Sequence, residues 1–454
     1  MEVIESQEEE PEVDIEKIAE SIPDIEEIQV AEEAQPEEIP SDIDMMYKDA
    51  SEEFLDNLVN KVAKETGLIV TQKICQGYFE YTYIISYPCP QKYFQLQLDF
   101  YRAISRRGYL NIMPAEEMLE NKRFYKCFYV PDPYIEFKYM WIRRTIKHDM
   151  NNEHIEIAKK LYLNNPEKYI EQLKKDFGPE VSSLVLEILD KNDVEIFNRN
   201  FEVFNSAAKR ISRKNASLPI RLNYTAFMLG TVIPKRIFHK CGLSVAFIAP
   251  DGAGKSTVIS RVKETVSGSF YGVNLYYMRP HLFKNLGHYN KLNPTEEAAT
   301  NDNPHGVVCD GVFKSAVRFF FYNLDFQFGT LLKINRKKIN KQLVIFDRYY
   351  YDYFADMKRY KYSLPAWFPV AFEWMIPKPD MVFVLDGNPE VLYERKKELP
   401  ISELEKQCSV FHQLAQNRKH FYAINVNRDV DTIVDEITET ILREMARRTS
   451  RIMK

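Results

Sequence analysis

The chain has 454 residues, of which 45% are hydrophobic and 28% charged, and carries a formal net charge of −5. That length and balance suit two or three ordinary globular domains. The slightly acidic total gives no reason to expect a nucleic-acid partner or a membrane-surface partner.

No apolar run is long enough to span a bilayer, and the N-terminus has no basic stretch followed by an apolar one. Six scattered cysteines (Cys75, Cys89, Cys127, Cys241, Cys309, Cys408) form no close pair. A reducing, cytoplasmic setting is expected.

Residues 1–40 are acidic, as in EEEPEVD (8–14) and AEEAQPEE (31–38), and nearly free of aromatic residues. Such a segment buries too little apolar surface to offset its ordering entropy, so a disordered tail is expected. Two patches, IEKIAESI (15–22) and IEEIQV (25–30), keep apolar residues at helical spacing and suit helices induced by a protein partner.

An α+β domain follows over 41–217. Residues 52–65 have helical spacing, and the runs GLIVTQ (67–72), YFEYTYIIS (78–86) and YFQLQLDF (93–100) read as strands. From about 136 to 217 the pattern turns helical, as in HIEIAKKLYL (154–163) and VSSLVLEIL (181–189). Residues 218–241 read as a linker.

From 242 to 454 strands and helices alternate, which predicts an α/β domain with a parallel sheet covered on both faces. The expected strands lie at 243–249, 273–278, 342–346, 381–385 and 422–426. The expected helices lie at 254–266, 314–336, 389–398, 402–420 and 430–447.

The strongest signal is APDGAGKST (249–257), placed directly after the strand LSVAFI (243–248). It fits the phosphate-loop pattern GxxxxGK[ST] at every defined position except the first, where Ala249 stands for glycine. Asp251, Gly252, Ala253, Gly254, Lys255, Ser256 and Thr257 would surround a nucleoside triphosphate. The glycines let successive backbone N–H groups point at an anion, and the following helix adds the positive end of its dipole. Lys255 would reach the β- and γ-phosphates, and Ser256 would offer its hydroxyl to Mg²⁺.

Together with DRYYYD (347–352) and PDMVFVLDGNPEVLYER (379–395), this loop resembles the thymidylate-kinase-like branch of P-loop nucleotide kinases. MRPH (278–281), NPHG (303–306), DMKRY (356–360) and RKKEL (395–399) are similar to kinase-like proteins of bacterial polysaccharide-biosynthesis clusters, which often carry a nucleotidyltransferase-like domain in front.

The resemblance implies ATP and Mg²⁺. It makes Asp347 the carboxylate near the metal and the acceptor phosphate, and Arg348 the clamp on that phosphate. Lys255, Asp347 and Arg348 are thus the catalytic candidates. Arg279 and Arg359 are further acceptor candidates or solvated arginines, and Asp386 is read as structural. A lid carrying Arg395, Lys396 and Lys397 is expected over 395–402. The aromatic residues of DRYYYD, with Trp367, Phe368 and Phe372, either stack on a base or sugar or form core.

The front domain raises a second chemistry. In PSDIDMM (40–46), Asp42 and Asp44 fall on one face of a strand, because strand side chains alternate with period two. Two such carboxylates, with a third from a neighbouring strand, can hold the Mg²⁺ of a nucleoside triphosphate. Asp99 in LQLDF (96–100) supplies the third. The order resembles DNA-polymerase-β-like nucleotidyltransferases, without their Gly-Ser turn, so the domain is either active or retains only the fold. Lys147 is a phosphate contact or part of a charged helix face.

These readings predict a kinase-like phosphotransferase acting on a nucleoside monophosphate or a similar phosphorylated acceptor. The alternatives are nucleotidyl transfer at Asp42, Asp44 and Asp99, or a nucleotide-binding adaptor. A homodimer is among the expected assemblies.

Overall fold

The computed structural model describes residues 42–78, 80–87, 94–106, 108–125, 128–284, 311–397 and 399–453. The acidic segment 1–40, the NPHG motif at 303–306 and Glu398 of the expected lid lie outside the described residues. The described residues divide into two compact units, one drawn from 42–49 and 100–224, the other from 50–99 and 225–453.

The first unit combines the strand Asp42–Met46, two short antiparallel hairpins and a run of helices. Tyr47 N–H donates to the Tyr101 carbonyl at 3.0 Å. The helices start where side chains can accept the first free N–H groups. Asp132 caps Pro133–Lys147, Asn151 and His154 form a reciprocal capping box for Asn152–Tyr162, and Asn165 caps Pro166–Phe177. Their apolar faces meet around Phe137, Trp141, Phe197 and Phe204, with Trp141 and Phe204 stacked at 5.8 Å. The helix Phe201–Asn215 is pinned to the strand Tyr109–Pro114, because Ser212 donates to the Leu110 carbonyl at 2.8 Å and Asn215 to that of Ile112 at 3.0 Å.

In the second unit, the helix Glu52–Glu65 and the antiparallel pair Ile69–Gly77 and Glu80–Ser86 pack with the α/β part. Lys73 is buried between Asp56 at 2.5 Å and Glu52 at 2.7 Å. The Thr449 hydroxyl near the chain's end donates to the Thr71 carbonyl at 2.7 Å. Residues 218–238, read from sequence as a connection, are helical: Leu218–Phe227, a π turn at Met228–Val232, then Ile233–Phe238.

The α/β part is built on five parallel strands in the spatial order Val273–Tyr277, Leu343–Asp347, Leu243–Ile248, Met381–Asp386 and Phe421–Asn425. The inner strands read as unbroken apolar runs because both of their faces are covered. Val245 and Phe247 face Val258, Val262, Ile433 and Ile437 on one side. Ala246 and Ile248 face Phe319, Phe326 and Phe411 on the other.

After the central strand Leu243–Ile248 the chain builds two strands on one side and then crosses to the other. In open α/β sheets, ligands bind at the carboxyl edge where the strand order reverses. The loop 249–254 leaves the central strand at that edge. The helix expected at 314–336 is longer, running as Val312–Gly329, a π turn at Thr330–Ile334 and Asn335–Ile339. No helix of the described residues is long and apolar enough to cross a membrane.

Candidate active site

Two left-handed glycines shape the loop between the central strand and the helix Lys255–Val266. Gly252 has φ +82° and Gly254 φ +73°, conformations that side-chain-bearing residues adopt only with strain. A Cβ on Gly252 would lie 2.6 Å from the Leu392 carbonyl oxygen in the helix Pro389–Arg395, so nothing larger fits. A Cβ on Gly254 would meet nothing within 4 Å. The loop is therefore packed at Gly252 and open at Gly254.

Ala249 is buried and does not have positive φ, which explains why alanine is admitted at the first motif position. Gly254 is the N-cap and makes no side-chain hydrogen bond, while Ser256 and Thr257 are exposed on the first turn. Helix N-termini with free amide groups are ready sites for anions.

The strand Leu343–Asp347 ends at the same edge, with Asp347 in register with Phe247. Lys255 Nζ donates to Asp347 Oδ1, so the structure brings these two predicted residues together. Burial, reinforced by the Arg348 guanidinium, pushes the Lys255 amine down to about 7. An approaching phosphate anion favours the protonated form and opposes that shift.

Arg348 follows with φ +70°, the left-handed region that a bulky residue rarely occupies. Its N–H donates to the Phe247 carbonyl at 2.9 Å, which locks the turn. Its guanidinium donates to Asp352 at 2.7 Å and to Asp251 of the loop at 2.9 Å. Arg359 reaches the other Asp251 oxygen at 2.5 Å and pairs with Asp356 at 3.6 Å. Burial opposes ionisation of Asp251, but Arg348 and Arg359 outweigh it and hold its carboxyl below the usual range. Burial pushes the Asp352 carboxyl up, against the pull of Arg348. Two of the three arginines expected as acceptor candidates, Arg348 and Arg359, are thus gathered on one loop carboxylate.

The remaining candidates fall elsewhere. Arg279 is buried, bonded to Asp325 and to the Phe283 carbonyl, and lies over the Tyr322 ring. Asp325 also accepts from the His281 and Phe283 N–H groups at 3.1 and 2.7 Å, so this pair organises the segment 278–283. Arg395 donates to the Val426 carbonyl at 3.2 and 3.3 Å, and Lys397 pairs with Glu394 at 3.1 Å. Lys396 sits beside the loop, its Cβ 3.4 Å from where a Gly252 Cβ would be. Asp386 meets His412 Nδ1 at 2.7 Å. Tyr349, Tyr350 and Tyr351 are buried in the core, and the half-buried Phe368 and Phe372 pack against Phe319 at its rim.

In the first unit, the carboxylate oxygens of Asp42 and Asp44 lie within 4.8 Å of one another, and Arg143 pairs with Asp44 at 3.4 Å. Lys147 is exposed at the end of its helix. Asp99, in the second unit, is buried and accepts from Thr82 and from Gln97, the latter at 2.7 Å.

No protein-family model matches the chain, and no curated protein does. Among solved structures, a thymidylate kinase from Ehrlichia chaffeensis is similar, with TM-score 0.31 and 15% identity, over 44% of this chain and 98% of that one. At that TM-score the likeness assigns no family.

The sequence reading did not single out Asp352 and Asp356 as partners of the arginines. The pairs are close in sequence, Arg348 and Asp352 four apart and Asp356 and Arg359 three apart, but neither lies within a regular helix, so helical periodicity gave no signal for them.

Proposed function

We propose that the second unit is a phosphotransferase that moves the γ-phosphoryl group of ATP to a small phosphorylated acceptor, such as a nucleoside monophosphate or a phosphorylated sugar. The observation that carries this reading is Lys255 at the first turn of its helix, meeting Asp347 beside the open face of Gly254. Backbone amides of the loop and the Lys255 ammonium would bind the β- and γ-phosphates. Arg348 and Arg359, delivered by Asp251, would face the acceptor phosphate, where a planar guanidinium binds two oxygens at once.

The Ser256 hydroxyl and the Asp347 carboxylate offer oxygen donors only, the set that Mg²⁺ prefers. When bound there, Mg²⁺ would neutralise charge on the transferring phosphoryl group. Positioning and charge neutralisation are the main demands of this reaction. On the sequence resemblance alone, the proposal extends to a place in polysaccharide biosynthesis. The experiment is a screen for ADP release by the full chain and by Lys255→Ala, against nucleoside monophosphates and sugar phosphates. Acceptor-stimulated release that is lost in the variant supports the reading, and equal release by both refutes it.

The closeness of Asp42 and Asp44 favours a second reading, nucleotidyl transfer by the front domain with Mg²⁺ on these two carboxylates. It predicts pyrophosphate release that Asp42→Asn/Asp44→Asn removes and Lys255→Ala spares.

A further inference from the structure

The second unit has a cavity of about 680 Å³ at the amino edge of its parallel sheet, opposite the edge that bears the loop 249–254. One wall forms where the helix Ile401–Asn417 ends and the chain turns, at a left-handed His420 with φ +67°, into the strand Phe421–Asn425. The other wall comes from residues 370–378, which precede the neighbouring strand Met381–Asp386. A strand of this sheet separates the cavity from the loop, roughly 17 Å at about 3.3 Å per residue. Small-molecule sites typically enclose about 300–1,000 Å³.

One side chain organises the lining. Arg418 donates through two nitrogens to the two carboxylate oxygens of Glu373, one of them at 2.8 Å. Its guanidinium also lies 5.3 Å from the Tyr351 ring centre and 5.6 Å from those of Phe354 and Phe421. Glu373, the one carboxylate among the described residues of the lining, is thereby neutralised. Lys378 and Lys419 also line the cavity; both are exposed and have no carboxylate partner among the described residues. Three cations thus face one carboxylate in a chain whose total charge is −5. Beside them the Trp374 indole is 79% accessible.

We propose that this cavity is a second ligand site, sharing no residue with the phosphate loop, and that it takes a nucleoside mono- or diphosphate. The base stacks on Trp374, a contact open to any base because each has a π face. The phosphates meet Lys378 and Lys419, ammonium groups that bind phosphate as point charges. An aromatic lining with a few placed charges is the composition of such a site. Inorganic phosphate would leave the aromatic wall uncovered, and an acidic peptide would satisfy the lysines without a ring for Trp374. The site does not depend on the reaction proposed at the loop.

Binding of AMP, ADP, UMP and UDP to the full chain carrying Lys255→Ala, in EDTA, tests the site, because that substitution removes the ammonium of the loop. Calorimetry should detect binding of at least one of the four, accompanied by quenching of tryptophan fluorescence. In the same background, Lys378→Ala/Lys419→Ala alters exposed positions, so it should keep the melting temperature and weaken binding at least about tenfold. Trp374→Ala should weaken it by about fivefold to a hundredfold.

Should these variants melt lower, Trp374→Phe decides, because it keeps a ring and removes the indole signal. Binding retained without the quench supports the site, and a quench that persists overturns it. Absence of binding by all four nucleotides, or binding indifferent to the lysine and tryptophan substitutions, also overturns the proposal. So does a response to inorganic phosphate or to a hexaglutamate peptide with none to the nucleotides.

Discussion

Arg348 donates to Asp251 at 2.9 Å, so the loop 249–254 itself holds the guanidinium that the sequence resemblance assigns to an acceptor. A second arginine, Arg359, reaches the same carboxylate. The loop and the proposed acceptor side are therefore one charged assembly, and substitutions in it should affect stability and function together.

Asp251→Ala leaves two largely buried guanidinium groups without a shared partner. Removing one member of a buried ion pair typically costs about 3–5 kcal/mol. Chemical denaturation should show a loss near the lower end of that range, because Arg348 keeps Asp352 and Arg359 keeps Asp356. Asp251→Asn, which retains an acceptor oxygen, should lose less. In activity assays both variants should raise the acceptor KM more than the ATP KM.

The two loop glycines should respond differently to alanine. Gly252→Ala meets both a positive φ and the Leu392 carbonyl. It should lower stability by about 1–3 kcal/mol, the cost range for residues forced into rare backbone conformations. Gly254→Ala meets only the φ restriction and open space, so it should melt closer to the parent while losing nucleotide affinity. Thermal melts with and without nucleotide separate the two.

Arg279→Ala is predicted to act on the fold and not on acceptor recognition. Its partner Asp325 is fully buried and also anchors the His281 and Phe283 N–H groups. Loss of the arginine should destabilise by about 3–5 kcal/mol, as for other broken buried pairs. The acceptor KM of the protein that remains folded should stay within about twofold; tenfold is 1.4 kcal/mol on this scale.

The Lys255 amine gives a pH signature. Its value of about 7 lies below the ordinary 10.5. Between those values the unfolded chain binds the extra proton, so the lysine's burden on stability is greatest below pH 7 and is relieved as pH rises towards 10.5. The proposed triphosphate binding would require the protonated amine and so should take up a proton near pH 8. Calorimetry in buffers of different ionisation enthalpy should detect that uptake, and Lys255→Met should abolish it.

Much of this architecture was legible in the sequence, because its signals are local. The apolar runs at 243–248 and 381–386, the glycines at 252 and 254 and the helical period after Lys255 all reappear in the structure. The strand expected at 342–346 also puts Asp347 directly at its end, where Lys255 meets it.

What it could not show depends on long-range geometry. The left-handed turn at Arg348 aims its guanidinium back at Asp251, ninety-seven residues earlier, and no periodicity announces a positive φ in a non-glycine residue. Arg279 read as an acceptor candidate or a solvated arginine because its partner Asp325 is forty-six residues away. Residues 218–238 read as a connection because exposed Leu222, Leu229 and Phe238 blur the amphipathic pattern expected of a helix.

The most direct measurement is equilibrium binding of Mg²⁺-ATP to the full chain and to Lys255→Ala. Binding by the parent that weakens at least about a hundredfold in the variant, 2.7 kcal/mol or more, is the predicted result. Equal affinity of the two proteins would contradict the account.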